Sequence, residues 1–249
     1  MKLRLAMVGA CPYPVPQGSQ VFLRETALAL RARGHDVRLV VYGHGLYPDD
    51  TGLPIHRTCR WPGDTTTRSG PNWAKPILDL NLWWTLRAVC RTHRIDVVHA
   101  HNYEALLVAL GSGRPVVYHP HNAMSDELPY YFEGPRRRAI AEWFGRWLDR
   151  RVPRRAQRVV APHRRLAGHL IIRGCAHSRV RVVPPPLEVE RFTPAAAGSG
   201  RPHVLYAGNL DAYQNLDLLF AAMARVRIEQ PEARLRIATA DPIDVVGAD

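Results

Sequence analysis

The order strand, glycine-bearing loop, helix, strand occurs twice in this chain, at Leu3–Tyr42 and again at His203–Ala238. A strand that leads through a helix into a neighbouring strand needs a crossover connection, and the crossover makes the two strands parallel. Between the two copies, apolar strands keep alternating with amphipathic helices. That alternation calls for a parallel sheet with helices on both faces. The expected class is α/β, with a Rossmann-like parallel-sheet domain over residues 1–192. A linker rich in Ala, Gly, Ser and Pro follows at residues 193–202, then an incomplete second Rossmann-like unit over residues 203–249. Open sheets of this kind bind ligands beyond the carboxyl ends of their strands. Two such units facing each other are expected to frame a cleft.

Within the first unit, the pattern predicts strands at Leu3–Val8, Asp36–Tyr42, Asp96–His99, Val116–Tyr118, Val159–Ala161 and Val180–Val183. Helices are predicted after the Gly18 loop up to Gly34, and at Ile77–Thr92, Tyr103–Leu110, Pro135–Arg150 and Leu166–Arg173. The Gly- and Pro-rich stretch Gly43–Pro76 reads as a long loop or flap. In the second unit the pattern predicts a strand at Val204–Ala207, a helix at Asn215–Glu229 and a strand at Leu235–Ala238.

The formal charge is +12, and it is concentrated: from Arg136 to Arg165 there are 11 Arg against Glu142 and Asp149. The four cysteines have no C-x-x-C spacing, so a reduced, cytosolic chain is expected. The apolar run Leu5–Ala10 is too short for a signal-peptide core and reads as a buried strand. No apolar stretch is long enough to span a bilayer.

Four constellations carry chemistry. The loop Pro16-Gln17-Gly18-Ser19 joins a parallel strand to a helix N-terminus, where free N–H groups and the helix dipole favour an anion. The same loop also fits an ordinary strand-to-helix turn. Two H-x-H pairs, His99/His101 and His119/His121, each follow a buried strand at its carboxyl end, and residues two apart in an extended backbone face the same way. Asn122 adds hydrogen-bonding capacity there. No Cys or acidic residue stands beside these histidines at usual ligand spacing, so no metal is expected. The helix from Pro135 carries Ile140, Trp143, Phe144, Trp147 and Leu148 on one face, with Arg146, Arg150 and other arginines around the rest. That helix fits an anionic membrane surface, with Trp143, Trp147, Arg146 and Arg150 as contacts, or a place packed on the sheet. No nucleic-acid-binding pattern accompanies the arginines. Finally, Gly208, Asn209 and Gln214 lie between a strand and a helix N-terminus, again a natural phosphate position.

Taken in order, these segments resemble glycosyltransferase family 4, enzymes of the GT-B fold. The stretch "PYPVPQGSQVFLRETALALRARGHDVRLV" is similar to the family's N-terminal loop and helix, which end in R-G-H-x-V. "DVVHAHNYEALLVA" is similar to its D-V-V-H-x-H strand, and "PVVYHPHN" to the strand ending in a functional histidine, here His121. "AQRVVAPHRRLAGHL" resembles the A-D-x-V-x-A-x-S segment with His163 in place of serine. "RVRVVPPPLEVERFTP" resembles the family's crossover, with Pro185 and Pro186 in place of Asn-Gly.

The resemblance implies sugar transfer from a nucleotide-sugar donor to a glycan or lipid-linked acceptor, with retention and without a metal or other cofactor. It implies His121 as the catalytic residue, and Gly18, Ser19, His101, Asn122, Gly208, Asn209 and Gln214 as donor- or acceptor-binding residues. The family's diphosphate-binding Arg and Lys align with Asn209 and Gln214, which removes two charge-assisted bonds. The family's E-x7-E region has no counterpart before Asp249, so the donor-binding domain is expected to be partial. A cytoplasmic enzyme, peripheral on the inner face of the membrane, is the resulting expectation. The alternative from another class is a non-catalytic relative that binds glycans or a membrane surface. A sugar-nucleotide epimerase of the same fold is a third reading, disfavoured by the linker and the R-G-H segment.

Overall fold

The computed structural model describes residues 2–15, 17–45, 48–49, 51–60, 74–187, 189–193, 203–208, 210 and 214–239. The chain divides into two compact units, Met1–Glu188 and Val189–Asp249.

In the first unit, β1 (Arg4–Gly9), α1 (Gly18–Ala32) and β2 (Asp36–Val41) form the expected opening crossover. Gly34, at φ +88°, ends α1 in a left-handed conformation that a side chain disfavours. Then come β3 (Ile55–Arg57), α2 (Lys75–Thr92), β4 (Val97–His101), α3 (Tyr103–Leu110), β5 (Val116–His119) and a short α4 (Met124–Glu127). The long α5 (Pro135–Arg151), β6 (Arg158–Ala161), α6 (Arg164–Ile172) and β7 (Val180–Val182) complete it.

All seven strands pair in parallel, in the order β3-β2-β1-β4-β5-β6-β7. This is the Rossmann-like sheet expected from the alternation. The chain winds outward from β1 through β2 and β3, then returns to place β4 on the other side of β1. The reversal creates the switch point at which open sheets hold ligands. There the last residue of β1, Gly9, lies opposite the last residue of β4, His101.

Strand alternation splits the core between two faces. Ala6 and Val8 of β1 join Leu82, Leu86, Leu106 and Leu170 from α2, α3 and α6. Leu5 and Met7 join Leu23 and Ala27 of α1 on the opposite face. Full burial of side chains of this size contributes roughly 1.5–3 kcal/mol each.

Two expectations need correction. Gly43–Pro76 is not all loop: Ile55–Arg57 forms β3, paired with β2 at the sheet edge. Residues 61–73 of that stretch lie outside the described residues. The histidines do not simply follow strands, because His99 and His101 lie within β4 and His119 closes β5. The expected linker lies outside the described residues from residue 194 to residue 202.

In the second unit, β8 (His203–Ala207), α7 (Leu216–Glu229) and β9 (Arg234–Ala238) form one parallel crossover. Asn215 stands in the left-handed region just before α7, so the helix starts one residue later than its pattern suggests.

Candidate functional site

The site begins with strand register. His99 and His101 sit two apart on β4 and face the same side, and β5 pairs so that His119 lies opposite His101. The three imidazoles are buried, with ring centroids 4.8 Å (His99–His101), 4.9 Å (His101–His119) and 5.3 Å (His99–His119) apart. His121, two residues past the end of β5, returns to the same cluster, with its Nε2 3.4 Å from His101 Nδ1. Phe22, one turn into α1, lies over the group. Its ring centroid is 4.5 Å from that of His119 and 5.3 Å from that of His121, on which it stacks.

Burial removes water from these rings and disfavours their charged form. It pushes His99 and His121 down to about 4 and His119 down to about 2, and His101 well below its ordinary value. Mutual repulsion within the cluster adds to the lowering of His99, His101 and His119. Glu104 opposes the shift at His121 by attraction. All four rings are therefore neutral near pH 7, each offering one N–H donor and one lone pair.

Gly18 is the first residue of α1, exposed, and its φ is not positive. A Cβ built there meets nothing within 4 Å. Neither backbone conformation nor packing within the protein therefore requires glycine at this position. Gly18 and Phe22 are four apart on one helix face, so the α1 N-terminus opens on the side where Phe22 meets the histidines. Ser19 is exposed and its hydroxyl donates to Gln20 Oε1 at 2.5 Å.

Asn102 and Glu104 carried no sequence signal. Asn102, between His101 and Tyr103, has φ 72° and ψ 173°, a conformation rare for any residue but glycine. It is held there because its side chain accepts the Ala105 N–H at 2.9 Å and its own N–H donates to the His119 carbonyl at 3.3 Å. Glu104, in the first turn of α3, pairs with Lys75 at 2.7 Å. Asn122 is exposed and donates to Glu127 Oε2 at 3.4 Å, while the Tyr131 hydroxyl donates to Glu127 Oε1 at 2.9 Å.

The segment after His121 is fixed from α5. Buried Asp149 accepts the N–H groups of Met124 and Ser125 at 3.0 and 3.1 Å, and its Oδ2 lies 3.1 Å from His169 Nε2. One helical turn earlier, Gly145 lies against Met124, and a Cβ there would overlap the Met124 carbonyl. The inner face of α5 is thus Ala141, Gly145 and Asp149. Its large apolar side chains face outward: Ile140 and Trp143 are 66% exposed, Phe144 45% and Trp147 44%. Packing on the sheet through the aromatic stripe is therefore not what the structure shows. Arg146 pairs with Glu142 one turn away on this helix, and Arg150 is exposed. Between α5, α3 and α4 runs an apolar groove of about 700 Å³, walled by Tyr103, Leu107, Met124, Leu128, Phe132 and Phe144. Glu104 and Glu127, the latter in contact with Asn122, also line it, and Lys75 and Arg137 supply positive charge.

In the second unit, Gly208 follows β8 and donates its N–H to the Ala238 carbonyl at 3.0 Å. Gln214 is exposed just before α7. Asn209 lies outside the described residues. These positions belong to a different compact unit from the histidine cluster.

The model of glycosyltransferase family 4 matches residues 16–191, a span that includes the α1 start, all four clustered histidines and α5. The chain belongs to glycosyltransferase family 4. It is 24% identical over 246 residues to a D-inositol 3-phosphate glycosyltransferase of Pseudarthrobacter chlorophenolicus, covering 88% of this chain and 56% of that protein. Among solved structures it resembles sucrose-phosphate synthase of Thermosynechococcus elongatus, with TM-score 0.75, 16% identity, 97% of this chain and 63% of that one. It also resembles Anabaena HepE in complex with UDP and glucose, with TM-score 0.65, 16% identity, 94% of this chain and 60% of that one. The fold is the Rossmann-like, GT-B-type architecture of these proteins. The chain spans a little over half the length of the curated relative and about three-fifths of these structures. In family terms His163 departs from serine, yet it does a serine's work: its Nδ1 accepts the Leu166 N–H at 3.2 Å and caps α6.

Proposed function

We propose that this chain is part of a retaining glycosyltransferase that moves a sugar from a nucleotide-sugar donor to a lipid-linked or glycan acceptor. The observation that carries the reading is His121, a half-buried neutral imidazole beside the sheet's switch point, on the side where the glycine-opened α1 N-terminus lies. Family membership supports it. So do the names of the relatives, a D-inositol 3-phosphate glycosyltransferase and a structure holding UDP and glucose.

In this reading the first unit is the acceptor side, residues 1–192, and the second, residues 203–249, is the donor-binding part. His121 donates or accepts one hydrogen bond at the reacting sugar, with His101 Nδ1 fixing its tautomer. Asn122 adds an amide at the site's mouth. Gly18 and Ser19 let donor phosphate or acceptor approach the N–H groups that begin α1. Gly208, Asn209 and Gln214 serve the diphosphate in the same way at the start of α7. Backbone dipoles stabilise the departing charge, so the transfer itself needs no metal. Calculated by mutagenesis precedent, one such preorganised donor is worth about 2.7–4 kcal/mol of barrier.

The acceptor's lipid chain occupies the apolar groove, and its phosphate meets Lys75 and Arg137. Trp143 and Trp147 sink into the headgroup region of an anionic membrane, with Arg146 and Arg150 on its phosphates. In this reading the protein is cytoplasmic, peripheral on the inner face of the membrane. No helix among the described residues is long and apolar enough to cross it.

Calorimetric titration with UDP- and GDP-sugars tests the proposal. Saturable binding of one nucleotide class, weakened in His121→Ala, is the expected result. No binding of any sugar nucleotide, together with binding to anionic vesicles, contradicts it and favours a non-catalytic membrane-binding module, the reading that the exposed aromatic face of α5 supports.

A further inference from the structure

We propose that His99, His101 and His119 form a binding site for a borderline divalent transition metal ion such as Zn²⁺. Three observations carry it. One potential ligand nitrogen from each ring lies within 4.8 Å of those of the other two. All three side chains are buried, with 9%, 1% and 2% of their surface exposed. His99 Nε2, His101 Nε2 and both ring nitrogens of His119 are buried without a hydrogen-bond partner in the protein.

Buried polar atoms nearly always have a partner, so four orphaned nitrogens on adjoining rings call for a water or an ion among them. Protein packing alone does not meet the call: Phe22 offers the cluster only a ring, which has no hydrogen-bonding atom. The donor set selects the ion. Neutral imidazoles suit Zn²⁺, Cu²⁺ and Ni²⁺, whereas Mg²⁺ and Ca²⁺ demand oxygen ligands. Three histidines plus one open position for water is a recognised zinc arrangement, with Zn–N distances of about 2.0–2.1 Å. Binding requires the rings to turn so that one nitrogen of each, now within 4.8 Å of the others, comes to that distance from a common centre. Both strands are held rigid by parallel pairing in register His101↔His119, so backbone order is already in place. The second ring nitrogen of His101 is engaged by His121 at 3.4 Å. Metal ligation at Nε2 would leave the proton on Nδ1, donated to His121 Nε2, which stands where a metal-bound histidine usually has a carboxylate, carbonyl or water as its outer partner.

The site stands independently of the glycosyl-transfer reading, because its measurement is metal uptake. Untagged full chain is stripped with a chelator and dialysed near neutral pH against ZnCl₂ or CoCl₂, then analysed for bound metal. One equivalent per chain is expected, with the intense visible absorption of four-coordinate cobalt. His99→Leu and His119→Leu should each weaken binding about 100-fold or more, and His121→Ala about tenfold, as loss of an outer partner does. His93→Ala, which removes a separate histidine pair with His56 of the edge strand β3, should leave uptake unchanged. Wild-type chain that takes up no stoichiometric zinc or cobalt overturns the proposal. So does uptake that the His99 and His119 variants leave intact. If a variant fails to fold, the wild-type cobalt spectrum decides: the pale absorption of six-coordinate, water-bound cobalt contradicts the site.

Discussion

The carboxyl end of β4 and β5 and the outer face of α5 invert the burial rule in opposite directions. At the first, three imidazoles are withdrawn from water and a fourth, His121, is half-buried. At the second, Ile140, Trp143, Phe144 and Trp147 are left in it. A buried polar cluster and an exposed apolar patch are each costly to a protein that only has to fold. The difference teaches where each cost is met. Among the histidines only the His101–His121 contact is satisfied within the cluster, and four ring nitrogens are left without a partner; the aromatics are compensated by nothing within α5, whose inner face is Ala141, Gly145 and Asp149. Each cost then has a proposed use: a small polar ligand at the first region and a large apolar surface at the second.

The widest test of that contrast is acid. The four imidazoles stay neutral in the folded chain while an unfolded chain takes up their protons below about pH 6.5. Their folded values are depressed, so the stability they leave intact is present above about pH 6.5 and lost as pH falls toward 4. Asp79 works the other way. Burial raises it to about 6, so its contribution is greatest below about pH 4 and fades as pH rises through 6. Burial raises Glu127 as well, in the same direction as Asp79, but two carboxyls do not offset four imidazoles. With three or more histidines involved, stability should fall by up to about 4 kcal/mol per pH unit below 6.5. Urea melts from pH 7 to pH 5 measure it, and a flat profile would show that the rings are not buried as described.

Next in size is His121→Ala. Turnover with a competent donor and acceptor should fall about 100- to 10,000-fold, the usual scale for a positioned acid–base or hydrogen-bonding group, while circular dichroism is unchanged. Unchanged turnover removes His121 from the chemistry. Asp149→Ala tests the inner face of α5. It orphans the Met124 and Ser125 N–H groups and should cost about 3 kcal/mol by denaturant melting. The outer face gives the smallest effect on stability and the sharpest on partition. Trp143→Ala with Trp147→Ala should change unfolding free energy by less than about 0.5 kcal/mol. The same pair should weaken sedimentation with anionic vesicles about tenfold, since each buried aromatic contributes on the order of 1 kcal/mol or more. Loss of cooperative melting instead would make those indoles core.

Much of the first region was legible before any coordinates. Both H-x-H pairs follow from the two-residue period of strands, and the parallel sheet follows from strand–helix alternation. The fusion of two pairs into one cluster was not, because it depends on the His101↔His119 register, a contact between distant parts of the sequence. Phe22 read only as a helix-periodic apolar residue; its place over the rings is again set by tertiary packing. The α5 stripe was visible as a stripe, but spacing alone is the same whether a face meets a core or a membrane. What decided it was small residues on the other face, above all Gly145 against the Met124 carbonyl. Three-residue β3 escaped because so short a run in a Gly- and Pro-rich segment shows no period. Asn102 carries strain that a sequence does not display.

Gly18 gives the most direct test that the α1 start and the histidine end of the sheet together hold a sugar nucleotide. A side chain at this position meets nothing of the protein within 4 Å. Gly18→Leu should therefore melt at or slightly above wild type, since leucine favours helix more than glycine does. In calorimetry it should lose at least about tenfold in affinity for the nucleotide-sugar that wild type binds, through obstruction of the helix N-terminus. A well-folded Gly18→Leu chain that binds the same nucleotide-sugar as tightly as wild type would contradict the account.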